Sequence, residues 1–245
     1  MKPEIIQPEI FKKYKDIFCA VSTRSGGVSG ESYGFNLSYK VGDKSENVKT
    51  NRKIFFDYLN ILESRLVFQN QIHSDNSAYV ESTLFLENND ALYTDKKNLY
   101  LCLTVADCLP VFLYHPGGII IAIHSGWKGS HGKIVYKTVK KVSEHFGLNV
   151  SEFIAYIGPG LSVENFEVGK EVADLFGNDV IKIRKNKYYF DNKLENKNQL
   201  MKAGVREINI EISEYCTYKE EKLFHSYRRN GIRAGRMLGV IGLRG

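Results

Sequence analysis

Three short segments place residues capable of catalysis beside residues that interrupt regular structure. Gln71-Ile72-His73-Ser74 follows a strand pattern over 65–68. Thr104-Val105-Ala106-Asp107-Cys108-Leu109-Pro110 breaks a long apolar run with an acid, a thiol and a proline that cannot donate to a ladder, which marks a strand end. Ile121-Ala122-Ile123-His124-Ser125-Gly126-Trp127-Lys128-Gly129 runs a buried strand into a histidine, then two glycines around the only tryptophan, ahead of a helical pattern. A strand that gives way to a Gly-rich turn and a helix start is where α/β proteins hold ligands, because the helix end presents unpaired N–H groups.

His73, Cys108 and His124 together supply two imidazoles and a thiolate, a ligand set that suits zinc and leaves a fourth tetrahedral position for water. Such a metal activates water or polarises a substrate oxygen. The separations of 35 and 16 residues match no short zinc motif. The same residues also compose a metal-free site, with Cys108 as nucleophile, His124 or His73 as base and Asp107 or Gln71 as orienting group. Both readings stand on the residues alone. His115, His131 and His145 fall in loop or helical surface contexts.

Two further clusters carry charge. Thr23-Arg24-Ser25-Gly26-Gly27-Val28-Ser29, followed by Asn36, sets an arginine at a strand end beside a flexible loop, as an anion site or a turn requires. Phe224-His225-Ser226-Tyr227-Arg228-Arg229 reads as strand, and adjacent strand side chains face opposite ways. At most one of Arg228 and Arg229 is therefore expected to enter a cleft, while the other meets solvent.

The elements that must position these residues are mostly strands. Buried or alternating apolar runs occur at 17–22, 65–68, 99–105, 111–114, 119–123, 153–157, 208–212 and 238–243. Helical patterns lie between them. Over 46–62, Val48, Phe55, Leu59 and Leu62 share one face; 132–146 repeats similarly and meets Gly147 where a helix terminus favours glycine; 168–176 also ends at a glycine. The expectation is an α/β fold, a layered sandwich of β-sheets covered by helices, forming a single domain over residues 1–245.

Composition limits the function. The 245 residues are 43% hydrophobic and 25% charged, as in a globular protein, with no internal repeat and no Pro/Ser-rich linker. The longest apolar stretch, 99–114, is interrupted by Asp107 and shorter than the roughly 20 residues that span a bilayer. The start lacks the apolar core of a secretory signal, and Cys19, Cys102, Cys108 and Cys216 form no C-x-x-C pair. A cytoplasmic protein with reduced thiols is expected, without membrane or nucleic-acid partners. Lys+Arg 34 against Asp+Glu 28 leaves +6, a mild excess suited to anionic substrates.

In order and spacing, the blocks TRSGGVS, GFNL, GD, NR, QIHS, DALYT, TVADCLPVFL, AIHSGWKG, IGPGLSVENFEVG, CTY, FHSYRR and GR resemble the polyphenol oxidoreductase (laccase) family, also called the purine nucleoside phosphorylase or peptidoglycan editing factor family. The resemblance covers about residues 18–241. It implies a zinc site at His73, Cys108 and His124, phosphorolysis of adenosine, inosine and methylthioadenosine, and adenosine deamination. Small-molecule purine nucleosides and phosphate are then the partners, with no oligomeric state specified. On that reading Arg24 and Arg228 are candidates for phosphate, and Asn36, Gln71 and Asp107 for the sugar or base. Copper-dependent phenol oxidation, with Cu2+ in place of zinc, and cell-wall precursor editing are alternative family functions. Three positions depart from the family pattern: Ser74 stands where glycine is usual, Ser125 where alanine is usual and Lys128 where arginine is usual. A bidentate arginine contact to phosphate would be weakened at Lys128.

Overall fold

The computed structural model describes residues 2–30, 32–83 and 85–245. The strands are β1 (Ile5–Ile6), β2 (Ile17–Ser22), β3 (Leu66–Gln69), β4 (Ser77–Tyr79), β5 (Phe85–Leu86), β6 (Ala91–Thr94), β7 (Tyr100–Val105), β8 (Leu109–His115), β9 (Ile119–Ser125), β10 (Ile154–Ile157), β11 (Glu167–Val168), β12 (Ile181–Arg184), β13 (Lys187–Phe190), β14 (Ile210–Ile212) and β15 (Met237–Leu243). The helices are α1 (Ser45–Leu59), α2 (Trp127–His131), α3 (Ile134–Phe146), α4 (Lys170–Ala173), α5 (Asn192–Ala203) and α6 (Tyr227–Asn230). One six-stranded sheet has the order β1-β2-β15-β7-β3-β5 and a second β14-β10-β8-β9-β6-β4, while β11-β13-β12 form a small third sheet.

The long apolar runs follow from burial on both faces. Along β8, Phe112 and Tyr114 pack with Leu101, Leu103 and Ile241 between the two large sheets, whereas Val111 and Leu113 pack outward with Val135, Val139 and Leu200 of α3 and α5. On the far side, Phe55 and Phe56 of α1 cover Ala20, Cys102 and Val240. The order helix, sheet, sheet, helix is the layered α/β sandwich the sequence implied.

Several boundaries differ from the patterns. α1 ends at Leu59 because Asn60 takes a left-handed conformation (φ 58°), so Leu62 lies beyond the helix and is 69% exposed. α3 stops at Gly147, φ 65°, as expected. The helical pattern over 168–176 shrinks to the four residues of α4. The strand expected over 224–229 is corrected to a turn into α6, where the Ser226 side chain accepts a bond from the Arg229 N–H. His115, expected at the surface, is the buried last residue of β8, its ring edge-on to Phe153 at 4.9 Å. His131 and His145 are exposed. Among the described residues no helix is long and apolar enough to cross a membrane, and the four cysteines are unpaired.

Candidate metal centre and active site

Three loops at the strand ends converge. β3 leads into the loop carrying His73, the β7–β8 turn carries Cys108, and β9 carries His124 one residue before its end. One ligand atom from each lies within 4.8 Å of the others. Cys108 Sγ is 3.9 Å from His73 Nε2, and the two imidazoles meet edge to face with centres 4.9 Å apart. His73 (φ 60°) and Asp107 (φ 85°) both hold left-handed backbone, a strain non-glycine residues adopt where surrounding structure imposes it. Gly126 closes the cradle: a Cβ there would stand 2.9 Å from Cys108 Sγ and 3.2 Å from His73 Cδ2.

The residue that organises this convergence is Asp90, just before β6, which no spacing rule identified. Wholly buried, it accepts from His124 Nδ1 (2.8 Å), the backbone N–H of Ile72 (3.2 Å), His73 (3.1 Å) and Ser74 (2.6 Å), and the Ser74 hydroxyl (2.8 Å). Its bond to Nδ1 turns His124 Nε2 toward the other two ligands, as a carboxylate behind a metal-binding histidine does. Burial alone would raise the Asp90 pKa, but the His124 bond and charge and the Ser74 bonds bring it down to about 2. Burial would likewise raise the Cys108 thiol; the adjacent His124 charge and bonds from both histidines outweigh it and bring the pKa to about 6. Burial lowers His124, yet the Cys108 thiolate and Asp90 carry it up to about 9. Without metal the centre is a thiolate–imidazolium pair, and the thiolate is the form a metal binds.

Two departures from the family pattern find partners. Ser74 adds a hydroxyl bond to Asp90, and Ser125 Oγ lies 3.0 Å from Ser130 Oγ. Ser130 in turn donates to Asn192 Oδ1 (2.5 Å) and accepts from Asn196 (3.1 Å), while Asn192 donates to the Ser125 carbonyl (3.0 Å). These buried amides explain why α5 lacks an apolar stripe: its inner face supports the His124 turn with hydrogen bonds. Lys128, the third departure, is exposed over the Trp127 ring and does not line the cavity.

The triad opens into a cavity of about 730 Å³. Among the described residues, Lys40, Arg52, Arg228 and Arg236 line it against one carboxylate, Asp107. Asp107 is committed: Oδ1 accepts from Thr217 Oγ1 and Oδ2 from the Arg228 N–H, both at 2.6 Å, tying α6 to the triad loop. Gln71 lines the cavity with its amide on Thr104, accepting from the Thr104 N–H (2.8 Å) and donating to the Thr104 carbonyl (2.9 Å). Arg228 enters the cavity, with Nη1 on the Glu167 carbonyl (2.8 Å). Arg236, missed from sequence, enters beside Tyr227 with Nη1 on the Ala234 and Gly235 carbonyls.

Two expected site residues do not reach the cavity. Asn36 is wholly buried, with its amide bonding Ser38, Asp43 and the Arg236 N–H, and so shapes the loop beneath Arg236. Arg24 donates to the Glu221 carbonyl (2.9 Å). Arg229 is not the solvent-facing residue that strand alternation with Arg228 requires: it donates to the carbonyls of Thr217, Tyr218 and Phe224 at 2.6–2.9 Å. It anchors the chain that carries Arg228.

Comparison with known proteins agrees with this architecture. The family model described as multi-copper polyphenol oxidoreductase laccase matches residues 18–244. A purine nucleoside phosphorylase of Bacteroides thetaiotaomicron is 35% identical, covering 95% of this chain and 94% of that protein. Purine nucleoside phosphorylase YlmD of Bacillus subtilis is 32% identical over 94% of this chain and 90% of its own length. Among solved structures, the Bacillus licheniformis protein YfiH superposes with a TM-score of 0.92 at 30% identity, covering 99% of this chain and 97% of that one. With nearly the whole chain matched in sequence and in fold, this protein belongs to the multi-copper polyphenol oxidoreductase laccase family, alongside relatives named purine nucleoside phosphorylase.

Proposed function

We propose that this protein is a zinc-dependent purine nucleoside phosphorylase that also deaminates adenosine. The observation that carries the reading is a three-ligand centre opening into a cavity lined by arginines, so that an electrophile and an anion site face one substrate space. The donor set fits a metal: a low-pKa thiolate, two imidazoles, a carboxylate orienting one of them, and a glycine cradle too tight for a Cβ. Zinc held by His73, Cys108 and His124 supplies Lewis acidity and an acidified water, serving phosphorolysis and deamination alike. Among the described residues this is the one such convergence of ligands, which suits a single Lewis acid better than the several centres of a multi-copper oxidase.

The chain's own groups do the rest. Asp90 holds His124 with Nε2 facing the triad, and Arg228 and Arg236 bind phosphate, neutralising its charge as it approaches the ribose. Asp107 fixes α6, and with it Arg228, against the triad loop. Trp127, Phe166 and Tyr227 provide flat apolar walls for a nucleoside. Incubating the protein with inosine or adenosine, with and without phosphate, tests the reading. Phosphate-dependent release of hypoxanthine or adenine with ribose 1-phosphate is expected, and in phosphate-free buffer only inosine formation from adenosine. Equal purine release in both conditions means hydrolysis, and no purine release at all refutes phosphorolysis.

A further inference from the structure

Arg52 lines the cavity from the middle of α1, and the reading above gives it no task. Its guanidinium carbon lies over two rings, 4.1 Å from the centre of Phe68 and 4.6 Å from that of Tyr39. Nε donates to the Leu37 carbonyl at 2.9 Å, which fixes the guanidinium plane. The two Nη groups have no hydrogen-bond partner among the described residues. Among the described residues the sole carboxylate lining the cavity is Asp107, held by Thr217 and Arg228. Tyr39, Phe68, Phe85 and Cys102 line the cavity with Arg52, whereas Arg236 sits beside Tyr227. The Arg52 region thus sets the rings of Tyr39, Phe68 and Phe85 beside the polar Ser38, Lys40 and Gln69, and Arg52 is its one rigid, donor-only fork.

We propose that Arg52 is a specificity-determining residue that reads the O6/N7 acceptor pair of a 6-oxopurine, so that inosine and guanosine are preferred to adenosine. This rests on the purine nucleoside phosphorylase reading. A guanidinium carries donors and no acceptor, and its planar fork matches two adjacent acceptors such as O6 and N7. Adenine presents an amino donor at the position of O6, which would face an Arg52 N–H. The aromatic walls select a flat heterocycle over a bare phosphate.

The same contact assists departure of the base. When the C1′–N9 bond breaks, its electron pair passes into the purine and spreads by conjugation to N7 and O6, where the fork donates. A phosphate oxygen forms the new bond to C1′, and the proton lost from phosphate is taken up by the purine through solvent. Donation to a group that gains charge is stronger in the transition state than in the ground state.

The test measures base binding apart from catalysis. Trp127 is the only tryptophan and lines the cavity, so its fluorescence reports titration with hypoxanthine or adenine. The wild type is expected to bind hypoxanthine more tightly by roughly one to two powers of ten. Arg52→Gln, whose amide pairs one donor with one acceptor, is expected to reverse that preference; Arg52→Lys, lacking the fork, is expected to erase it. Phosphorolysis kcat/KM for inosine and adenosine should move in the same ratios, with circular dichroism confirming the fold. A wild type that prefers adenine, or an unchanged base ratio in folded Arg52→Gln, overturns the proposal, as does a variant whose defect is confined to the phosphate KM. The wild-type ratio decides if neither variant folds. Base selection without phosphate-dependent turnover would instead retain Arg52 as the reader and refute phosphorolysis.

Discussion

Replacing Asp90 by Asn tests how the centre is held together. The carboxylate takes five donors, three from the His73 loop backbone, one from Ser74 Oγ and one from His124 Nδ1. An amide keeps one acceptor but turns an NH2 toward N–H and O–H groups at a fully buried position. Lowering the pKa from 3.8 to about 2 corresponds to about 2 kcal/mol of stability from the ionised form. A donor left unpaired in the variant adds about 1–3 kcal/mol. Asp90→Asn should therefore cost about 3–5 kcal/mol at neutral pH and weaken zinc binding roughly 10- to 100-fold through the loosened His124. Because the folded-state pKa is depressed, this contribution is fully present above about pH 4 and is lost as pH falls through about 2. Urea unfolding of metal-free wild type and variant between pH 7 and pH 2.5 reads the gap, and competition with a chromophoric chelator reads the affinity. A gap below about 1 kcal/mol at pH 7 with unchanged zinc affinity, or a gap that persists undiminished at pH 2.5, would refute the assigned role.

Other outcomes follow from the same contacts. In metal-free protein the thiolate absorbance removed by Cys108→Ser should titrate near pH 6; titration above pH 8 would contradict the thiolate–imidazolium pair. Arg229→Ala should lose about 2–4 kcal/mol on urea unfolding, since three carbonyls lose a charged donor, and a change under about 0.5 kcal/mol would return Arg229 to the surface. Arg228→Ala should leave the unfolding midpoint nearly unchanged while raising the phosphate KM by roughly one to two powers of ten. An unaltered phosphate KM would move the anion site to Arg236. Gly126→Ala should lower zinc affinity by displacing Cys108 Sγ, and wild-type affinity would show that the cradle yields.

The triad is legible in the sequence because Cys108 and His124 interrupt apolar runs at strand ends beside Asp, Pro or Gly, and His73 lies in the loop just beyond a third strand. The layered fold is legible for a related reason: strands buried on both faces leave long runs such as those of β8 and β9. Asp90 is hidden because it precedes a four-residue strand in an Asn-rich stretch, where neither period nor spacing links it to His124. α5 is hidden because Asn192, Asn196 and Gln199 share its buried face with Leu200 and Ala203, bonding Ser130 and Ser125 and leaving no continuous hydrophobic stripe. α6 is four residues long, too short for a 3.6-residue period to show, so its arginines pass for strand alternation. Asn36 lies beneath the cavity lining, bonded to Ser38, Asp43 and the Arg236 N–H, and Arg24 donates to the Glu221 carbonyl.

The central claim is that His73, Cys108 and His124 hold the metal on which the reaction depends. Elemental analysis of protein purified without added metal, wild type beside His73→Ala, Cys108→Ala and His124→Ala, tests it most directly. About one zinc per chain is expected in the wild type and little in each variant. Copper in place of zinc would replace the phosphorylase reading with the oxidase one, and stoichiometric zinc retained in all three variants would contradict the ligand assignment.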